Sequence, residues 1–285
     1  MKEKLNLLLI ICFFITSCDY FSSSYLDNAK KHLDEGNYNK ALDNLIKAEI
    51  LNENNPETII LLAETYKELL DYETARLYYY KAINIKPYDT RLIYALSGVE
   101  FDLGNYWSCI SLAKGILGNF EHAPDHPYAR IGLCYTGLLI FDSAYVYYNK
   151  AIEYRDDHAS YYNNRGYALI DLSRYCEAME DYNKAIRLDS LRPAFYLNKA
   201  DLFYRLRVFD KAIENYTKSI ELSKLYKGAY ERNSIAFNNR AWAKLALGDT
   251  IGFIEDRKYA FELGYPDNYI PFENLESKFY IYRQN

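Results

Sequence analysis

The feature that most constrains this chain is a segment that returns at a fixed interval. Ala178–Leu188 reads AMEDYNKAIRL, and 34 residues later Ala212–Leu222 reads AIENYTKSIEL. Related copies stand at Ala41–Leu51, Ala75–Ile85 and Ala144–Tyr154. Each has a small residue, an apolar or aromatic one four further on, and a small one three after that. This spacing places the three on one face of a helix. A fixed period of this length means a stacked array of like units, so the expected fold is all-α.

The fullest copy is YYNNRGYALIDLSRYCEAMEDYNKAIRLDS, Tyr161–Ser190. It resembles the tetratricopeptide repeat (TPR), whose unit is two antiparallel helices. The resemblance implies a right-handed α-solenoid of about seven helix-turn-helix units. It assigns Gly166 to a close approach of the first helix (A) to the second (B). Tyr175 is assigned to the turn, and Ala178, Tyr182 and Ala185 to the helix-B stripe. The units are expected at roughly 22–55, 56–89, 90–123, 125–158, 159–192, 193–226 and 234–265, within a solenoid spanning 25–265. Two depart from the pattern. The third has Cys109, Ala113 and Ile116 in the stripe, and the seventh has Phe253 in place of a small residue, after an insertion at Lys227–Asn233. Pro124 and Pro127 cannot continue a helix and suit the start of one, so a bend or a two-lobed superhelix is expected, with the break near 119–127. An array also needs a cap on its last apolar face. Residues 266–285, with Phe272, Leu275 and Phe279 at helical spacing, are expected to supply it as a helix or a docked strand.

The chain begins with Lys2 and Lys4, then an uncharged apolar run from Leu7 to Ile15 that ends in Thr16-Ser17-Cys18. A bilayer-spanning helix needs about 20 apolar residues, so this run is too short and reads as a secretory signal. Ile15-Thr16-Ser17-Cys18 resembles the lipobox of bacterial lipoproteins. The resemblance implies cleavage after residue 17 and a lipid on Cys18, with 18–24 as a short linker. That linker could reach at most about 25 Å. The expected location is therefore extracytoplasmic, lipid-anchored to a bacterial membrane, inner or outer.

The formal net charge of −5 is mildly acidic and mixed in sign, which argues against nucleic acid as a partner. Cys109, Cys134 and Cys176 remain in the mature chain, an odd number without metal-type spacing. They are expected as buried free thiols, with one disulfide as the alternative for an exported chain. His122, Asp125 and His126 lie close in sequence, but the flanking prolines break the helix that would align them, so a polar loop is expected rather than a metal site. Phosphate-loop, nucleophile-elbow and zinc-protease motifs are absent from the sequence. The carboxylates read as helix-surface groups, with Glu180–Lys184 and Glu214–Lys218 as i,i+4 pairs. No enzyme activity, cofactor or metal is expected.

Many of the 32 tyrosines fall in structural slots, among them Tyr79, Tyr148, Tyr182 and Tyr216. By repeat position, the TPR resemblance sends a second set to the partner-binding groove. It comprises Tyr94, Phe101, Asn163, Tyr167, Asp171, Asp201, Tyr204, Arg205, Asn238 and Trp242. Some TPR proteins hold a partner's C-terminal carboxylate with Asn and Lys at these positions. Here that set is incomplete, with Tyr167, Asp201 and Trp242 in one asparagine position and Asp171, Arg205 and Ala246 in the lysine positions. An extended or helical segment with apolar and basic residues fits better. The expected function is a tethered scaffold that binds an envelope protein or peptide and acts as an adaptor in an envelope assembly. The alternative is binding of peptidoglycan or polysaccharide through exposed tyrosines such as Tyr78, Tyr80 and Tyr147.

Overall fold

The computed structural model describes residues 20–118, 125–225 and 230–265. Those residues form fourteen α-helices and no strand. Two compact units are present, divided between Tyr154 and Arg155. The first holds four helical hairpins: α1 (20–34) with α2 (Tyr38–Leu51), α3 (Pro56–Glu68) with α4 (Tyr72–Ile85), α5 (Thr90–Asp102) with α6 (Tyr106–Gly118), and α7 (Asp125–Gly137) with α8 (Phe141–Tyr154). The second holds three: α9 (Ala159–Asp171) with α10 (Tyr175–Leu188), α11 (Pro193–Arg205) with α12 (Phe209–Ser223), and α13 (Tyr230–Ala246) with α14 (Thr250–Glu262). Seven hairpins match the seven expected units. The expected signal at 1–17, Cys18 and the expected cap at 266–285 lie outside the described residues.

The hairpins share one local design. The second residue after each first helix has a left-handed backbone: Gly36, Leu70, Gly104, Leu139, Ser173, Arg207 and Gly248. The next residue's N–H then reaches back five residues, as in Asp71 to Tyr66 O (2.9 Å), Arg174 to Leu169 O (2.8 Å) and Val208 to Phe203 O (2.9 Å). This is the Schellman closure of a helix C-terminus. Helix starts are fixed in several ways. The Asn55 side chain accepts from the Glu57 and Thr58 N–H groups, with Pro56 in the first turn. Asp71, Asp89 and Asp249 cap α4, α5 and α14.

The predicted helix-B stripe is the core. Ala75, Ala82, Ala144, Ala151, Ala178, Ala185 and Ala212 are buried, and Tyr79, Tyr148, Tyr182 and Tyr216 are fully buried between them. A Cβ on Gly166 would lie 3.0 Å from the Tyr182 ring, and one on Gly132 would lie 2.8 Å from Tyr148. Glycine at these two places lets helix A approach the ring of helix B.

The structure corrects several expectations. Residues 20–24, read as linker, already belong to α1, where Ser22 is buried and donates to Ala48 O at 3.1 Å. The insertion before the seventh unit is partly helical, since α13 begins at Tyr230. Around the expected bend, α7 starts at Asp125 with Pro127 buried in its first turn, and 119–124 lie outside the described residues.

The cysteines also differ. Cys109 on α6 and Cys134 on α7 are joined as a disulfide inside a core that includes Ile110, Ala113 and Ile131. Facing helices of neighbouring hairpins bring the two thiols together, although 25 residues separate them in sequence. Cys176 is free and exposed rather than buried.

Candidate functional site

In the second unit, the first helices of the three hairpins line one cavity of about 430 Å³. Tyr167 and Asp171 project from α9, Asp201, Tyr204 and Arg205 from α11, and Trp242 from α13. These six were placed in the groove by repeat position. The side chains of Asn198 and Asn239 and the core tyrosines Tyr182 and Tyr216 complete the polar lining. Repeat spacing brings these residues together because the same helix-A faces recur at each unit.

The other four groove candidates sit elsewhere. Asn163 and Asn238 are buried and bound to neighbours. Asn163 Oδ1 accepts from Asn198 at 2.9 Å. Asn238 donates to Tyr265 at 3.2 Å and accepts from Arg257. An amide at this position ties adjacent helices. Tyr94 and Phe101 belong to the first unit. The Arg130 guanidinium lies over both rings, 5.1 and 5.9 Å from their centroids.

Asp201 is the most constrained carboxylate of the cavity. Its Oδ1 accepts from the Tyr216 hydroxyl at 2.5 Å and from Asn239 Nδ2 at 3.1 Å. Burial pushes its pKa above the ordinary value, against the opposing pull of those two hydrogen bonds and of Arg205. The Tyr216 hydroxyl is pushed strongly up, by burial first and then by Asp201. Asp171 stands 3.7 Å from Arg205. The Tyr182 hydroxyl is buried and has no hydrogen-bond partner among the described residues. Burial drives its pKa up as well.

Reading the carboxylates as surface groups missed two buried pairs. Arg165 grips Asp181 with two hydrogen bonds of 2.6 and 2.8 Å, and Arg240 grips Asp256 with two of 2.7 Å. Lys244 reaches Asp256 as well, at 2.9 Å. Each pair joins the first helix of a hairpin to the second. The available signal was the repeat itself, which places an arginine 16 residues before an aspartate in both hairpins. The expected i,i+4 pairs give way to other contacts. Lys184 lies over the Tyr162 ring at 5.7 Å, and Lys218 approaches Glu221 at 3.9 Å.

The tyrosines of the polysaccharide alternative are largely engaged. Tyr78 donates to Glu49 at 2.8 Å and stacks on Tyr66. Tyr80 donates to Glu100 at 3.2 Å. Tyr147 stacks on Tyr135 and has Lys150 5.3 Å from its centroid. Near the expected polar loop, His126 stands 3.8 Å from Asp125, and His122 lies outside the described residues.

The family model of the tetratricopeptide repeat matches at residues 56–89, 159–190 and 193–224. Those three segments match the tetratricopeptide repeat. These matches coincide with the hairpins α3–α4, α9–α10 and α11–α12.

Among solved structures, a TPR protein from Parabacteroides merdae is similar with a TM-score of 0.70 at 16% identity, over 87% of this chain and 95% of that one. MamA from Desulfovibrio magneticus is similar with a TM-score of 0.55 at 19% identity, over 59% of this chain and 95% of that one. A thermophilic TPR protein of Thermus thermophilus has a TM-score of 0.55 at 18% identity, over 68% of this chain and 99% of that one. These likenesses concern the fold. A search of curated proteins finds no match to the chain. TPR folds bind protein or peptide partners.

Proposed function

We propose that this protein is a membrane-tethered, extracytoplasmic TPR scaffold that binds a protein or peptide segment in its second unit and serves as an adaptor in a bacterial envelope assembly. The observation that carries the reading is the convergence of Tyr167, Asp171, Asp201, Tyr204, Arg205 and Trp242 on one cavity. Tyrosine and tryptophan offer a large contact area with few rotors, and arginine offers directed donors. A lipid on Cys18 would hold the scaffold at the membrane, and two or more acyl chains are needed for stable anchoring. The Cys109–Cys134 disulfide supports export, since disulfides persist in oxidising compartments and are rare in reducing ones.

Two experiments test this. Photo-crosslinking in the native host with the reactive residue at Tyr167 should enrich one envelope protein over a control placed at exposed Tyr80. Equal profiles at the two sites would overturn the groove reading. Palmitate labelling should mark the wild type and fail on Cys18→Ala. Equal labelling would remove the anchor.

The polysaccharide reading has less support. Sugar rings stack on aromatic faces, and Tyr78 and Tyr147 each stack on another tyrosine of their own unit.

A further inference from the structure

We infer that the cavity of the second unit is a socket for an arginine side chain supplied by the partner, with Asp201 and the Tyr182 hydroxyl at its floor. The inference rests on the groove reading above and names the chemistry that the groove selects.

The lining has the parts that a guanidinium needs. Tyr167, Tyr204 and Trp242 supply aromatic rings, and arginine stacks on such rings more readily than any other cation-bearing side chain. Asp201 and Asp171 supply carboxylates. The Tyr182 oxygen is a buried acceptor that no described residue uses. A buried polar atom left without a partner is costly, and a donor arriving from outside relieves that cost. Arg205 also lies in the wall, 3.7 Å from Asp171, and shares that carboxylate. The incoming charge is therefore met chiefly by Asp201, whose Oδ1 accepts from Tyr216 and Asn239 and whose second oxygen accepts no hydrogen bond among the described residues.

The first unit shows the same slot already filled. Arg130 of α7 occupies the repeat position that Asn198 and Asn239 hold in α11 and α13, two residues before the small residue that faces helix B. Its guanidinium covers Tyr94 and Phe101 of the preceding hairpin and reaches the Tyr94 hydroxyl at 3.4 Å. It also pulls electrostatically on Asp102, which stands at the repeat position of Asp171 and Arg205. In the second unit the corresponding side chains are short amides turned towards neighbours: Asn198 towards Asn163, and Asn239 towards Asp201. The chain fills this slot with its own arginine once and leaves a cavity where asparagine replaces it. A partner arginine would restore the arrangement.

The test uses N-acetyl-arginine amide as probe and N-acetyl-citrulline amide as its neutral isostere. The chain has two tryptophans, so Trp107→Phe leaves Trp242 in the cavity wall as the reporter. Trp242 emission should change saturably with the arginine probe, and at least about tenfold more weakly with citrulline, the loss of one charge-assisted contact. Asp201→Asn should weaken the arginine response about tenfold. Tyr182→Phe should weaken it severalfold while leaving the melting temperature unchanged or higher, because the deleted hydroxyl has no partner among the described residues. Equal responses to the two probes, no saturable response to arginine, or an Asp201→Asn protein that binds like wild type would each overturn the inference.

The crosslinking experiment separates this failure from that of the groove reading. A captured partner segment without arginine at the crosslink defeats the socket and leaves the groove intact. An Asp201-dependent arginine response with no enriched partner keeps the socket and defeats the adaptor.

Discussion

Replacing Tyr182 by alanine empties a ring site that is fully buried against Gly166, and should cost about 3–5 kcal/mol in a thermal or urea melt. A melt unchanged from wild type would refute the placement of the ring. Asp201 gives a second residue-scale prediction through pH. Its folded pKa is raised, so its contribution favours the folded state below the ordinary carboxylate value of 3.8 and is lost as pH rises through the elevated pKa. Relative to wild type, Asp201→Asn should therefore gain stability as pH rises through that window, measured as urea midpoints across pH. A flat difference would show that Asp201 charges without penalty. At this scale the sequence was informative wherever a slot has one job. Tyr182 and Gly166 could be assigned because a small residue facing a large one is a packing rule. Asn163 and Asn238 could not, because an amide serves equally well as a surface contact or as a tie between helices. Only the neighbours Asn198, Arg257 and Tyr265 decide between the two.

The turns between paired helices carry a strain that the period reveals. Glycine fills the left-handed position at 36, 104 and 248, whereas Leu70, Leu139, Ser173 and Arg207 hold φ values of 59–63°. A residue with a Cβ pays about 1–2 kcal/mol there. Ser173→Gly should therefore raise stability by about 0.5–1 kcal/mol, after allowing for the greater freedom of glycine in the unfolded chain. A loss would mean that the side chain makes a compensating contact. At the start of α3, Asn55→Ala should cost about 1 kcal/mol, because the Glu57 and Thr58 N–H groups lose their acceptor. Hairpin existence and order were legible because two helices per 34 residues follow from the stripe and the turn. Helix ends were less so. That residue 20 already belongs to α1 goes with burial of Ser22, which no periodic pattern marks, and the α13 start at Tyr230 lies inside what the repeat spacing reads as an insertion.

At the scale of the molecule, the Cys109–Cys134 bridge closes a loop between neighbouring hairpins. Breaking it with Cys109→Ala/Cys134→Ala should lower the stability of the first unit by about 2–4 kcal/mol. Hydrogen exchange at α6 and α7 should quicken most, and unchanged protection there would show that the core holds those helices without the bond. The pairing was not readable from spacing. Three cysteines allow three pairings, and only the packing of α6 on α7 chooses among them. The start of α1 has a consequence of its own. With Cys18 lipidated as proposed, a single residue separates the anchor from a helix already formed at residue 20, where Tyr20 and Phe21 are exposed. Aromatic side chains of this kind favour the headgroup layer. Such a mooring is a stem rather than a leash. It leaves little slack for a search away from the surface, so the first hairpin would stay close to the membrane that holds the lipid.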